Sequence, residues 1–140
     1  MDYAVNYLAI LATGVAAVAI GWVWYSPMLF GNIWMKECGM GDMTPEKKAE
    51  GMKHMPKAVL GSFVAQLVLA YVMTYFAHSL GFTTSFEAIN LAIWAWLGFT
   101  ATMILHPVLW EGKSMTYYGI NAGYSLVIFI VTALVVVLWV

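Results

Sequence analysis

Residues 3–31 read YAVNYLAILATGVAAVAIGWVWYSPMLFG, and this stretch decides the fold. It carries no charge, and its apolar residues do not alternate with polar ones as a half-exposed strand requires. A helix rises about 1.5 Å per residue, so roughly 20 residues cross a hydrocarbon core of about 30 Å. The run is long enough as far as Trp24, and three more follow it, at 58–80, 86–106 and 115–140. In lipid only helices and closed barrels satisfy every backbone group, and long unalternating runs exclude barrel strands. The fold class is therefore an all-α integral membrane protein. A single domain over 1–140 would hold four transmembrane helices, with spans at 3–24, 58–80, 86–106 and 115–140 and a long loop at 25–57. Composition agrees. The chain is 63% hydrophobic and 9% charged, where soluble domains carry about 25% charged residues.

The first run contains AVA at 17–19, which looks like a signal-peptide cleavage site. The segment ahead of it, Met1-Asp2-Tyr3, lacks the positive charge such a signal needs, so the helix is expected to be retained. Orientation follows from lysine, because the six basic residues are all lysine. Lys36, Lys47, Lys48, Lys53 and Lys57 fall between the first two runs, and Lys113 falls between the last two. By the positive-inside rule both lysine-bearing loops face the cytoplasm and both termini lie outside. The expected location is a membrane crossed several times. A net charge of −1 gives no reason to expect a nucleic-acid partner. Cys38 is the single cysteine and forms no internal disulfide.

The phrase SPMLFG at 26–31 has a counterpart in HPVLWEG at 106–112. Each reads polar residue, proline, aliphatic, leucine, aromatic and then glycine. Both close an outside-to-inside span, so the simplest account is two parallel two-helix repeats. Proline disfavours helix at the residue before it, which predicts stops near Tyr25 and Leu105. Carboxamides correspond roughly, Asn6 with Asn90 and Gln66 with Asn121, although the offsets disagree, at 80 residues between the prolines and 84 between Asn6 and Asn90. Convergence on one interfacial stop signal is the competing account.

Within the first cytoplasmic loop, Ser26 and Pro27 predict the start of a short interfacial amphipathic helix. Its apolar stripe would be Leu29, Phe30, Ile33 and Trp34, and Gly39 would end it. Thr44-Pro45-Glu46 predicts a second, charged helix that ends before Pro56.

Four stretches together resemble one family. WYSPMLFGNIWMKE (24–37), LGSFVAQLVLAYV (60–72), LGFTAT (97–102) and EGKSMTYYGINAGY (111–124) are similar to the bacterial membrane family catalogued as Domain of Unknown Function 1761. The resemblance covers nearly the whole chain and implies a small four-helix integral membrane protein of bacterial type, and with it a bacterial inner (plasma) membrane as the location. It brings no catalytic residue with it.

Candidate chemistry must therefore come from the residues themselves. His78 and His106 fall at opposite ends of the membrane and cannot share one haem iron. Met35, Cys38, Met40, Met43 and His54, with Met52 and Met55, are soft ligands of the kind copper(I) prefers. Their spacing follows no tight motif, and methionine also fills apolar faces. Glu87 is an acid at a span end, near His78, and an ionisable group there is a functional candidate. If Ser85 caps the third span, Glu87 instead sits in the first turn, where the helix dipole favours an acid. Gln66, Asn121, His78 and Glu87 are the residues a polar pathway would use. Trp94 and Trp96 need partners for their indole N–H groups, and Asn90 is one turn from Trp94. Gly61, Ala65, Gly119 and Gly123 are small residues suited to close helix approach, within the bundle or between protomers.

No nucleophile–base pair, phosphate loop, paired carboxylate or regular metal motif is present, so an enzyme is not expected and no cofactor is implied. The reading that follows is a helix-packing scaffold or accessory subunit. Its partners would be the lipid bilayer and either a second copy or another membrane protein. A minimal transporter or channel for a small solute or ion is the second reading. Copper handling through the Met/Cys/His-rich loop is the third.

Overall fold

The computed structural model describes residues 4–38 and 44–139. The described chain is helical, in the order α1 (Tyr7–Trp24), α2 (Gly31–Glu37), α3 (Pro45–Leu80), α4 (Ser85–Ala95), a π-helical turn (Trp96–Ala101), a 3-10 turn (Met103–Leu105), α5 (His106–Trp110) and α6 (Met115–Leu138). Four rods are long and apolar enough to cross a membrane: α1, α3, the run Ser85–Trp110, and α6. The chain is a four-helix integral membrane protein.

α1 starts where Asn6 Oδ1 accepts from the amide of Ala9 at 3.1 Å. It ends at Trp24, one residue before the expected stop. Ser26 does not cap a new helix. Its hydroxyl donates back to Val23 O at 2.7 Å, closing α1, and α2 begins only at Gly31. The amides of Phe30 and Gly31 fold onto Trp24 O and Ser26 O at 3.1 and 2.9 Å. A Cβ at Gly31 would run into the carbonyls of Tyr25 and Ser26, so this reversal needs glycine. Gly39, the expected stop of α2, lies outside the described residues.

The loop expected at 25–57 is much shorter than that. Thr44 caps α3 through the amide of Lys47, with Pro45 in the first turn, as its sequence predicts. The helix does not end before Pro56, however. It runs on to Leu80, so the charged helix and the second span are one element of 36 residues. Pro56 removes only the bond to the carbonyl of Met52. Pro56 and its neighbours are exposed, so other groups can solvate that carbonyl without breaking the helix. At about 54 Å, α3 is far longer than the hydrocarbon core. Its exposed first turns extend beyond it.

The third rod begins one residue earlier than its sequence suggests. Thr84, not Ser85, is the cap, and Glu87 completes a capping box with it. Farther along, Pro107 does not stop the helix at Leu105; helical backbone continues to Trp110. The distortion appears upstream instead. Without an amide hydrogen on Pro107, Met103 O loses its i+4 donor. His106 takes that place with its backbone amide and with its ring, Nδ1 lying 3.1 Å from Met103 O. The widened turn at 96–101 leads into this tightened one, and Tyr118 Oη donates to Ala101 O at 2.9 Å. The rod finally turns at Gly112, whose φ of 69° is left-handed. The two copies of the proline phrase therefore build different structures, a non-helical reversal and a continued helix.

α6 is the hub and packs against α1, α3 and α4. Of its most apolar 18-residue window 44% is buried, against 22–28% for the other three rods. The core is built on small residues. Ala70, Ala88, Ala92 and Ala133 are fully enclosed beside Met73, Phe129 and Val137. Alanine lets backbones approach closely, which matters in lipid because apolar burial gives helices little drive to associate.

Candidate functional site

The side-chain hydrogen bonds that join separate elements converge on α6. From α1, Trp24 Nε1 donates to Ile120 O at 3.0 Å. Tyr25, just past α1, donates to Asn121 Oδ1 at 2.6 Å. In return Tyr124 Oη donates to Ala17 O at 3.1 Å. From α3, Gln66 Nε2 donates to Thr132 Oγ1 at 2.7 Å, both side chains buried. From the π turn, Trp96 Nε1 donates to Ser125 Oγ at 2.8 Å. The ends are fastened too. Ser114, the N-cap of α6, donates to Glu37 of α2, and Asn6 Nδ2 donates to Trp139 O at 3.1 Å.

Around the start of α6 these bonds assemble an aromatic cluster. Tyr25 meets Trp34 and Tyr124 edge-on, each at a centroid distance of 5.3 Å, and Trp24 lies 5.0 Å from Phe30. Burial pushes the Tyr25 phenol far above its ordinary range, with the neighbouring phenols of Tyr124 and Tyr117 adding to the effect. Tyr25 therefore stays a donor to Asn121. Trp34 Nε1 is enclosed here with no hydrogen-bond partner among the described residues.

Beside the cluster α1 and α3 part, leaving a cavity of about 450 Å³ with Tyr124 as its floor. Trp22 and Tyr25 form one wall, Met55 and Ser62 of α3 the other, and Trp34 closes the end. A second cavity of about 290 Å³ continues from Ser62 and Tyr124 down to Gln66.

The residues singled out by sequence scatter over this frame. Gln66 and Asn121 are buried or half-buried but bonded to different helices, and neither pairs with the other. The proposed carboxamide correspondence does not extend to structure. Asn6 is a cap, while Asn90 bonds to Phe86 O of its own helix at 2.9 Å. Glu87 is spent on the amides of Thr83 and Thr84, at 2.8 and 3.0 Å. His78 lies in the last turn of α3 and His106 opens α5. Of the three glycines among these small residues, a Cβ would meet another helix only at Gly123, 3.0 Å from Trp24 Cζ2. Gly61 and Gly119 have open space beside them, and Ala65 lines the deeper cavity. The alanines that do form the core escaped notice, although Ala88, Ala92 and Ala95 recur at helical spacing.

Met40 and Met43 lie outside the described residues. Of the other soft ligands, Met35 and Cys38 are half-buried on or beside α2, and His54 is exposed on α3. Among the described residues no group of three His, Cys, Asp or Glu side chains could hold a metal. Burial raises the Cys38 thiol above its usual range, partly countered by Lys113.

No curated protein and no solved structure matches the chain. One family model does, over residues 8–137, described as a protein of unknown function (DUF1761). Taken with the four apolar rods, that match over most of the sequence means that the chain belongs to the DUF1761 family of proteins of unknown function.

Proposed function

We propose that the protein is a membrane scaffold or accessory subunit that works by helix–helix association rather than catalysis. The observation that carries this reading is the convergence of interior polar bonds on α6. A pathway for ions or polar solutes needs hydrated groups along its length to replace lost water. Here Gln66, Asn121, Trp96 and Tyr124, the polar groups best placed to line one, are engaged in tying helices together. Gly61 and Gly119 supply open, small-residue surface on the outside of the bundle, where a second copy or another membrane protein could approach closely.

In this reading the protein sits in a bacterial plasma membrane. The lysine-rich end, with the first turns of α3 and the start of α6, faces the cytoplasm, and both termini face outward. Mass determination of the full chain in mild detergent tests the association. A defined oligomer or a co-purifying membrane protein is expected, and a monodisperse monomer refutes it. A flux assay in liposomes tests the alternative. Reproducible flux that disappears in Gln66→Leu, with assembly unchanged, would replace the scaffold by a transporter.

A further inference from the structure

The larger cavity has a lining with a definite chemical bias. Trp22, Tyr25, Trp34 and Tyr124 contribute four aromatic rings, Met55 a thioether and Ser62 a hydroxyl, and no lysine, arginine or histidine lines it. Both phenol hydrogens are directed elsewhere, Tyr25 to Asn121 and Tyr124 to Ala17 O, which leaves oxygen lone pairs as what these groups can still offer. The Trp34 N–H is a donor without a partner among the described residues, but it is enclosed and exposes no surface to the cleft. The Tyr25 ring stands at 69° to Trp34 and 63° to Tyr124, so the ring planes tilt around the space rather than stack as one block. Lys53 and Lys57 are each two residues from Met55, about 200° around α3, and so lie on the helix face turned away from the cleft.

Electron-rich rings and lone pairs lining an open cleft attract a cation whose charge is spread over apolar substituents. A hydrated metal ion or a primary amine would demand more acceptors than the lining holds. The volume, about 450 Å³, is in the range of small-molecule sites. Below it the cavity that reaches Leu69 and Phe129 offers apolar room for a tail. We propose that the α1/α3 cleft binds a quaternary or tertiary alkylammonium, its charged head among Trp22, Tyr25 and Tyr124 and its tail toward Leu69. This ammonium chemistry occurs in choline lipids and in free amphiphilic amines.

The test uses the full chain in maltoside micelles, with tritiated decyltrimethylammonium as probe and empty micelles as blank. Saturable binding is expected. Decanoylcholine should compete at least about tenfold better than 3,3-dimethylbutyl decanoate, its uncharged isostere. Trp22→Leu should weaken binding by about threefold to tenfold while Trp22→Phe retains it, because phenylalanine keeps a ring. Trp22 is 68% exposed, so neither change threatens the fold. Ser62→Trp fills the cleft and should abolish binding, with helicity by circular dichroism unchanged. Repeating the titration in phosphatidylcholine and phosphatidylglycerol nanodiscs separates the two sources. Loss of probe binding only in phosphatidylcholine assigns the lipid headgroup, and equal binding assigns a free amine. The proposal is overturned by non-saturable uptake, by equal competition from the neutral isostere, or by full binding in Ser62→Trp. It is likewise overturned if Ser62→Trp dissociates an oligomer and leaves cation binding intact, since the cleft would then be a protein interface.

Discussion

Gly123→Leu and Gly119→Leu should behave as opposites, although the two glycines are one turn apart on the same helix. A Cβ at Gly123 would meet Trp24 Cζ2 at 3.0 Å and Cη2 at 3.5 Å before the rest of a leucine is added. Trp24 has little room to yield. Its indole is anchored to Ile120 O at 3.0 Å, with Phe30 at 5.0 Å and Tyr124 at 6.4 Å between ring centroids. Overpacking of this kind costs about 1–3 kcal/mol, and losing the indole bond adds about 0.6 kcal/mol in a membrane protein. Replacing glycine within a helix returns up to about 1 kcal/mol. The expected net loss is therefore about 1–3 kcal/mol, or roughly fivefold to more than a hundredfold in the folding equilibrium. At Gly119 a Cβ has nothing within 4 Å, so the same substitution should be neutral or slightly stabilising for the protomer. Unfolding in mixed micelles by stepwise addition of dodecyl sulfate, followed by circular dichroism, measures both. If the scaffold reading holds, Gly119→Leu should in addition lower the mass of the assembly without lowering the unfolding midpoint. Equal effects of the two leucines, or a harmless Gly123→Leu, would refute the packing argument.

Other outcomes follow from the same frame. A double-mutant cycle on Gln66→Leu and Thr132→Val should return a coupling of about 0.6 kcal/mol, the usual worth of an interhelical bond in lipid; a coupling near zero would mean that the 2.7 Å bond contributes nothing. Burial holds the Tyr25 phenol above its ordinary value in the folded protein, so its contribution is intact up to about pH 10 and is lost as the unfolded phenol ionises at higher pH. Unfolding titrations should accordingly show Tyr25→Phe to be less sensitive than the parent above pH 10, and a parallel decline would place the sensitivity elsewhere. A cysteine at Thr83 in a Cys38→Ser background should react with a membrane-impermeant thiol reagent in intact cells, while Cys38 in the parent is protected. The reverse pattern would invert the membrane orientation. In micelles at pH 8, Cys38 should alkylate more slowly than a free peptide thiol because burial raises its thiol.

What the sequence by itself determined was the solvent and the number of spans. Hydrophobic run length measured against bilayer thickness needs no knowledge of neighbours, so all four rods were legible. Local rules of capping held where a single turn decides them, as at Thr44, and slipped by one residue at Ser85 because Thr84 offers the same hydroxyl chemistry. As a stop, proline was legible at residue 27, although Ser26 and Pro27 open no helix there, and it was misleading at 56 and 107. Its local cost is fixed, yet whether a helix survives depends on what serves the carbonyl four residues back. At Met52 an exposed surface leaves that carbonyl open to other partners, and at Met103 His106 takes it. Only the tertiary structure decided which polar groups meet. Gln66 and Thr132 are 66 residues apart, and Trp24 and Ile120 are 96 apart. No period in the chain encodes such distances. The same is true of the cleft, which exists because α1 and α3 part beside Tyr124. The hub role of α6 likewise arises from three neighbours converging on one helix. α6 has the highest mean hydropathy, 2.3 against 1.6–1.9, but among the other three rods hydropathy does not follow the order of burial. In lipid every span is apolar, and so burial is chosen by fit between surfaces rather than by hydrophobicity along the chain.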